Sequence, residues 1–205
     1  MPTPAESTLR ARVSRRGLLL AVAATALPLP ALAQHMPAVP ASVAALLPDA
    51  RLSGQGEFRY FGFLVYTATL WVGPQGLGAP LGVAPFALQL RYARSLKGAD
   101  IAARSEEEMR KLGEGSPQQR ADWLQAMQQL FPDVQDGSTL TGVFTPASGA
   151  QPAQTRFYFN GVLRGAVHGA AFARAFFSIW LSPKTPAPGL RNDLLANAAT
   201  AASLP

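Results

Sequence analysis

The stretch Phe58-Arg59-Tyr60-Phe61-Gly62-Phe63-Leu64-Val65-Tyr66-Thr67-Ala68-Thr69-Leu70-Trp71-Val72 constrains the fold most. Aromatic and β-branched residues dominate it, and these suit a pleated, buried surface. It follows Gly54-Gln55-Gly56, which reads as a turn, and stops at Gly73-Pro74. It is one long strand, or two strands meeting at Gly62. Both alternating faces are largely apolar, so each side needs cover. One full charge, Arg59, lies within it among Phe58, Tyr60 and Phe61. On this reading the guanidinium is buried and needs an acceptor, because burying it unpaired costs several kcal/mol.

Charge elsewhere is sparse. Charged residues are 15% of the 205 and apolar ones 48%, enough for a packed core. The net charge of +6 is concentrated at one end. Four of the 18 basic residues (Arg10, Arg12, Arg15, Arg16) and one of the 12 acidic ones (Glu6) lie in the first sixteen positions. That leaves 14 against 11, or +3, with no dense basic cluster, and argues against a nucleic-acid partner.

The basic segment reads as the start of an export signal spanning residues 1–33. An apolar run from Gly17 to Pro30 follows it, then Ala31-Leu32-Ala33, a small-x-small cleavage pattern. The run is shorter than the roughly 20 apolar residues of a spanning helix. Ser14-Arg15-Arg16-Gly17-Leu18-Leu19 resembles the twin-arginine motif, while an ordinary Sec signal holding two arginines reads the same way. The expectation is a periplasmic protein cut near Ala33, with no membrane span in the mature chain. Residues 34–50, with Pro37, Pro40 and Pro48, read as a tail or linker, and residues 196–205 as a frayed tail.

Several chemistries are excluded. There is no cysteine, hence no thiol nucleophile and no thiolate metal site. His35 and His168 are too far apart in sequence to suggest a metal constellation, so no metal and no cofactor are expected.

The remaining elements follow from period and punctuation. Phe86–Tyr92 alternates as a strand, with Phe86, Leu88, Leu90 and Tyr92 on one side and Gln89 and Arg91 on the other. Asp100 is placed to cap a helix over Ile101–Leu112, whose Glu106-to-Lys111 charge run reads as a solvated face. Ser116-Pro117-Gln118-Gln119 carries the residues of a capping box, and Trp123, Met127, Leu130 and Phe131 form the core stripe behind it. Strands are expected at Thr139–Phe144, Thr155–Phe159 and Val162–Val167, the last two joined by Asn160-Gly161, a strong hairpin signal. Helices are expected at Ala170–Leu181 and Leu190–Leu195. The order argues for an α+β fold, an antiparallel sheet with helices packed on one face.

Three motifs within residues 51–195 resemble the bacterial chalcone isomerase-like family. They are Gly56-x-x-Arg59-Tyr60-Phe61-Gly62-Phe63-x-Val65-Tyr66-x-x-x-Leu70-Trp71, then Leu90-x-Tyr92-x-Arg94-x-Leu96-Lys97-Gly98, and Phe159-Asn160-Gly161 with Phe172-Ala173-x-Ala175-Phe176-Phe177-x-Ile179-Trp180-Leu181. The resemblance implies an apolar cleft between sheet and helices. In the plant isomerases of this superfamily an early-strand arginine steadies the anionic oxygens of a chalcone. Other relatives use an arginine and a tyrosine to hold a fatty-acid carboxylate. Carried over by position, these residues are Arg59 and Tyr66, with Tyr92 and Tyr158 as weaker candidates. Positions 59 and 66 face opposite sides of a regular strand unless a bulge at Gly62 intervenes. The remaining polar residues of the isomerase site have no match here. Three readings stay open: a non-catalytic binder of an apolar anionic ligand such as a fatty acid, an isomerase (intramolecular lyase), and a structural or partner-binding envelope protein.

Overall fold

A computed structural model describes residues 37–198. Six antiparallel strands form one sheet in chain order. They are β1 (Arg51–Tyr60), β2 (Phe63–Val72), β3 (Phe86–Tyr92), β4 (Thr139–Thr145), β5 (Gln154–Phe159) and β6 (Val162–His168). The short α1 (Ala41–Ala44) precedes them. Helices α2 (Gly98–Lys111) and α3 (Pro117–Leu130) connect β3 to β4, and α4 (Ala170–Leu181) and α5 (Pro188–Leu194) follow β6. No helix among the described residues is long and apolar enough to cross a membrane.

Alternation divides the sheet into two unlike faces. Ala68, Leu70, Val72, Phe86, Leu88, Leu90 and Tyr92 point inward and share one core with α2–α5. The α4 stripe completes it: Phe172, Phe176, Phe177 and Trp180 are buried, and each such ring contributes roughly 1.5–3 kcal/mol. Gly142 of β4 makes room for them, since a Cβ there would stand 3.1 Å from Phe177 and 3.3 Å from Phe157.

The outer face carries Trp71, Ala87 and Val143, and here residues 37–50 depart from the linker reading. Val43 and Leu47 are buried against those three side chains, so the segment covers the sheet. A four-residue helix amid prolines gives too short a period to be recognised from sequence. Beside this patch runs a polar row, Gln55, Thr69, Gln89 and Thr141, in register across β1–β4. Gln55 Nε2 donates to Thr69 Oγ1 at 2.8 Å and Gln89 Nε2 to Thr141 Oγ1 at 3.0 Å, which satisfies side chains that would otherwise make this face costly to bury.

Local signals fare unevenly. The Ser116–Gln119 capping box forms, with Pro117 in the first turn. Asp100 is not the cap of α2; Lys97 holds that position and Asp100 sits in the first turn. Gly54-Gln55-Gly56 is no turn but the middle of β1. Its glycines admit α5, because a Cβ on Gly54 would fall on the carbonyl oxygen of Asp193. The turn lies instead at Phe61-Gly62, with φ of 47° and 80°, so the long aromatic stretch is two strands.

Candidate functional site

That turn changes how Arg59 and Tyr66 relate. They lie on different strands, and the register slips where Phe58 pairs with Tyr66 but Arg59 with Leu64. The irregularity falls at Val65, not Gly62. Phe58, Tyr66 and Tyr92 become neighbours across β1, β2 and β3. Phe58 stacks on Tyr66 with ring centroids 5.1 Å apart, and Tyr66 meets Tyr92 edge-on at 5.9 Å.

Arg59 is not the buried cation its neighbours suggested. Its side chain is 53% exposed. Nε and Nη2 donate to Glu57 Oε2 at 3.0 and 2.8 Å, and Nη1 donates to the Gly62 carbonyl at 3.2 Å. Aromatic density normally marks a core, but here it marks a hairpin tip, where Tyr60, Phe61 and Phe63 are themselves exposed. Tyr158 is also set apart, since it packs with Trp71 on the outer face.

Tyr66 and Tyr92 line a cavity of about 310 Å³ between the sheet and the helices. Ile101 and Arg104 of α2, Phe176 and Trp180 of α4, and Ala187 before α5 close its other sides. Apolar groups dominate the wall. A larger hollow of about 480 Å³ lies between Ser95–Lys97, Asp133–Gln135 and Asn160, but it is open, polar and crossed by the Lys97–Asp133 ion pair. The enclosed apolar cavity is the better ligand site.

Its chemistry centres on two phenols. Burial raises the pKa of both above the ordinary tyrosine value, with the Trp180 hydrogen bond partly opposing this at Tyr66. Both stay neutral near pH 7. Trp180 Nε1 donates to Tyr66 Oη at 3.0 Å. That bond occupies a lone pair and leaves the phenolic proton, which no described residue accepts. Tyr92 Oη also makes no hydrogen bond to a described residue. A hydroxyl that a ligand shields from water without accepting its proton costs about 1–3 kcal/mol, so a ligand bearing an acceptor is favoured over a purely apolar one.

The cation at the cavity is Arg104, two positions before the charge run read as a solvated face, and Glu108 of that run also lines the cavity. That reading is corrected in part, because Glu108 is only 6% exposed. Glu108 Oε1 accepts from Arg104 Nη2 at 2.6 Å and from Lys111 Nζ at 3.2 Å. Arg104 reaches Glu107 at 3.0 Å and is itself 59% exposed, at the rim. Sequence spacing held one clue: positions 101, 105 and 108 share a helical face, so Glu108 falls among inward residues.

A family model described as chalcone isomerase-like matches residues 38–196. The chain belongs to the chalcone isomerase-like family. An uncharacterised protein of Haemophilus influenzae is 29% identical to this chalcone isomerase-like chain over 149 residues. The match covers 69% of this chain and 66% of that protein, slightly under two thirds of its length. Among solved structures, the crystal structure of an Arabidopsis thaliana fatty-acid binding protein shares the fold, with a TM-score of 0.58 at 17% identity. The likeness covers 74% of this chain and 89% of that one. The six-stranded sheet with helices is therefore the chalcone isomerase-like architecture expected from the sequence.

Proposed function

We propose that this chalcone isomerase-like protein is an exported, periplasmic, non-catalytic binder of an apolar anionic ligand such as a fatty acid. One observation carries the reading: two neutral phenols whose protons no described residue accepts line a mostly apolar cavity, with Asp100, Arg104, Ser105 and Glu108 its other polar side chains. A carboxylate accepts both O–H groups while its chain lies against Phe58, Phe131 and Ile101. Arg104 at the rim takes the cationic role that the resemblance gave to Arg59, and Tyr66 keeps its role as ligand donor. The cavity volume sits at the low end of the range for small-molecule sites, which favours a medium-length chain or a compact aromatic acid. The fold shared with a fatty-acid binding protein supports the same reading.

The isomerase reading needs a set of hydrogen-bonding side chains around a planar slot, and the wall offers no Thr or Asn to join the two tyrosines. The test is native mass spectrometry of the exported protein beside Tyr66→Phe/Tyr92→Phe. The expected result is a co-purifying acid on the wild type that the folded double variant lacks. A bare wild-type mass that stays bare after incubation with medium-chain fatty acids would overturn the proposal.

A further inference from the structure

Six large hydrophobic side chains are exposed among the described residues, and five sit on two hairpin tips. Tyr60, Phe61 and Phe63 crown β1–β2; Val162 and Leu163 crown β5–β6. The meander brings both tips to one end of the sheet: Tyr66 pairs with Tyr92, Leu90 with Leu140, and Leu140 with Phe159, which precedes the second turn. Four strand spacings separate the hairpins, about 19 Å at ~4.8 Å per strand.

The two turns form an internal comparison. Asn160-Gly161 has φ of 47° and 81°, and Phe61-Gly62 has 47° and 80°. The same left-handed geometry holds Asn in one, the residue it favours, and Phe in the other, which it disfavours. Phe61 is 83% exposed. Among the described aromatic rings its own meets only that of the exposed Tyr60, edge-on at 4.5 Å, so neither backbone preference nor core packing accounts for a phenylalanine there, and such local strain points to a role outside the fold.

The charges beside these tips are mostly positive. The Arg94 guanidinium lies 5.2 Å over the Phe63 ring, Arg59 flanks Tyr60, and Arg164 flanks Leu163. Glu57 is the only carboxylate on either hairpin, and Arg59 already holds it. Aromatic rings with arginines beside them suit the headgroup zone of a bilayer, where rings bury at the interface and guanidinium groups meet phosphate. A protein partner would be met by one continuous apolar patch. Here the tips project separately on either side of a polar hollow that includes Lys97 and Asp133.

We infer that this end of the sandwich docks on an anionic phospholipid surface, with both hairpin tips in the headgroup zone. The cavity wall residues Phe58, Val65 and Leu96 lie at the same end, so docking sets the cavity against the bilayer. That last link rests on the proposed ligand; the docking does not.

The test is co-sedimentation of the full chain with vesicles of phosphatidylglycerol and phosphatidylcholine, or of phosphatidylcholine alone. Phe61→Asn/Phe63→Ser, which suits the turn, and Arg94→Glu are compared in the same background, so any contribution of the apolar N-terminal run is common to all. Wild type is expected to partition onto the anionic vesicles at least about tenfold better than either variant, with variant unfolding midpoints no lower than its own, and poorly onto neutral ones. Equal partitioning of wild type and variants, or none by wild type, would overturn the docking face. Equal wild-type partitioning onto both vesicle types would overturn the anionic assignment. Tyr66→Phe is expected to sediment as wild type, which separates failure of the ligand reading from failure of this one.

Discussion

Trp180 donates its indole N–H to the phenolic oxygen of Tyr66 across 3.0 Å, tying the last turn of α4 to the first half of β2. The bond bridges 114 positions of sequence and fixes where the Tyr66 proton points. Trp180→Phe keeps an aromatic ring but removes the donor. It is expected to cost about 1–2 kcal/mol of stability and to weaken binding of a medium-chain fatty acid several-fold. Urea unfolding and calorimetric titration of the same sample check both.

The two phenols make stability fall in alkali. Their folded pKa values are raised above the ordinary 10.0, mainly by burial. The unfolded chain therefore loses these protons first. Their favourable contribution is complete below about pH 10 and declines as pH rises beyond it. Urea midpoints measured from pH 8 to 11 are expected to drop at the upper end. The Tyr66→Phe/Tyr92→Phe variant is expected to show a shallower drop.

Gly54 is where α5 meets the sheet. Gly54→Ala sets a methyl group on the backbone of Asp193 and Leu194, with no flexible side chain to give way. The expected destabilisation is about 2 kcal/mol or more, within the overpacking range or above it. Gly62→Ala meets nothing within 4 Å and serves as the steric comparison, although its φ of 80° still carries a backbone cost. The check is thermal unfolding of the two variants against wild type, with Gly54→Ala the lower.

Thr155 is fully buried on β5, and its hydroxyl has no hydrogen-bond partner. Thr155→Val keeps the β-branched shape and removes the orphaned group. It is expected to raise stability by about 1 kcal/mol, read as a higher urea midpoint with an unchanged slope.

Period and punctuation in the sequence were enough to locate most of the fold. The capping box at Ser116, the Asn160-Gly161 hairpin and the Ala170–Leu181 helix stand where local chemistry puts them. These are short-range signals, complete within a few residues. The failures are long-range. Gly54 and Gly56 look like a turn because glycine does not reveal whether it serves a bend or the approach of a helix about 140 positions later. Arg59 looked buried because its neighbours are aromatic, but only the sheet end and hairpin tip decide where those rings point. Tyr66 could be named from its motif. Its partner Trp180 could not, because in the helix it reads as one more core ring. Glu108 was masked by the charges around it. The export signal read in residues 1–33 lies outside the described residues.

The central claim is that the phenols of Tyr66 and Tyr92 hold the acidic end of an apolar ligand. Calorimetric titration of delipidated protein with decanoic acid at pH 7 tests it most directly, on wild type and Tyr66→Phe/Tyr92→Phe. The account predicts saturable 1:1 binding to wild type and an affinity lower by about a hundredfold or more in the variant, the loss expected for two hydrogen bonds to a charged group. No binding to wild type, or equal affinity in the folded variant, would contradict it.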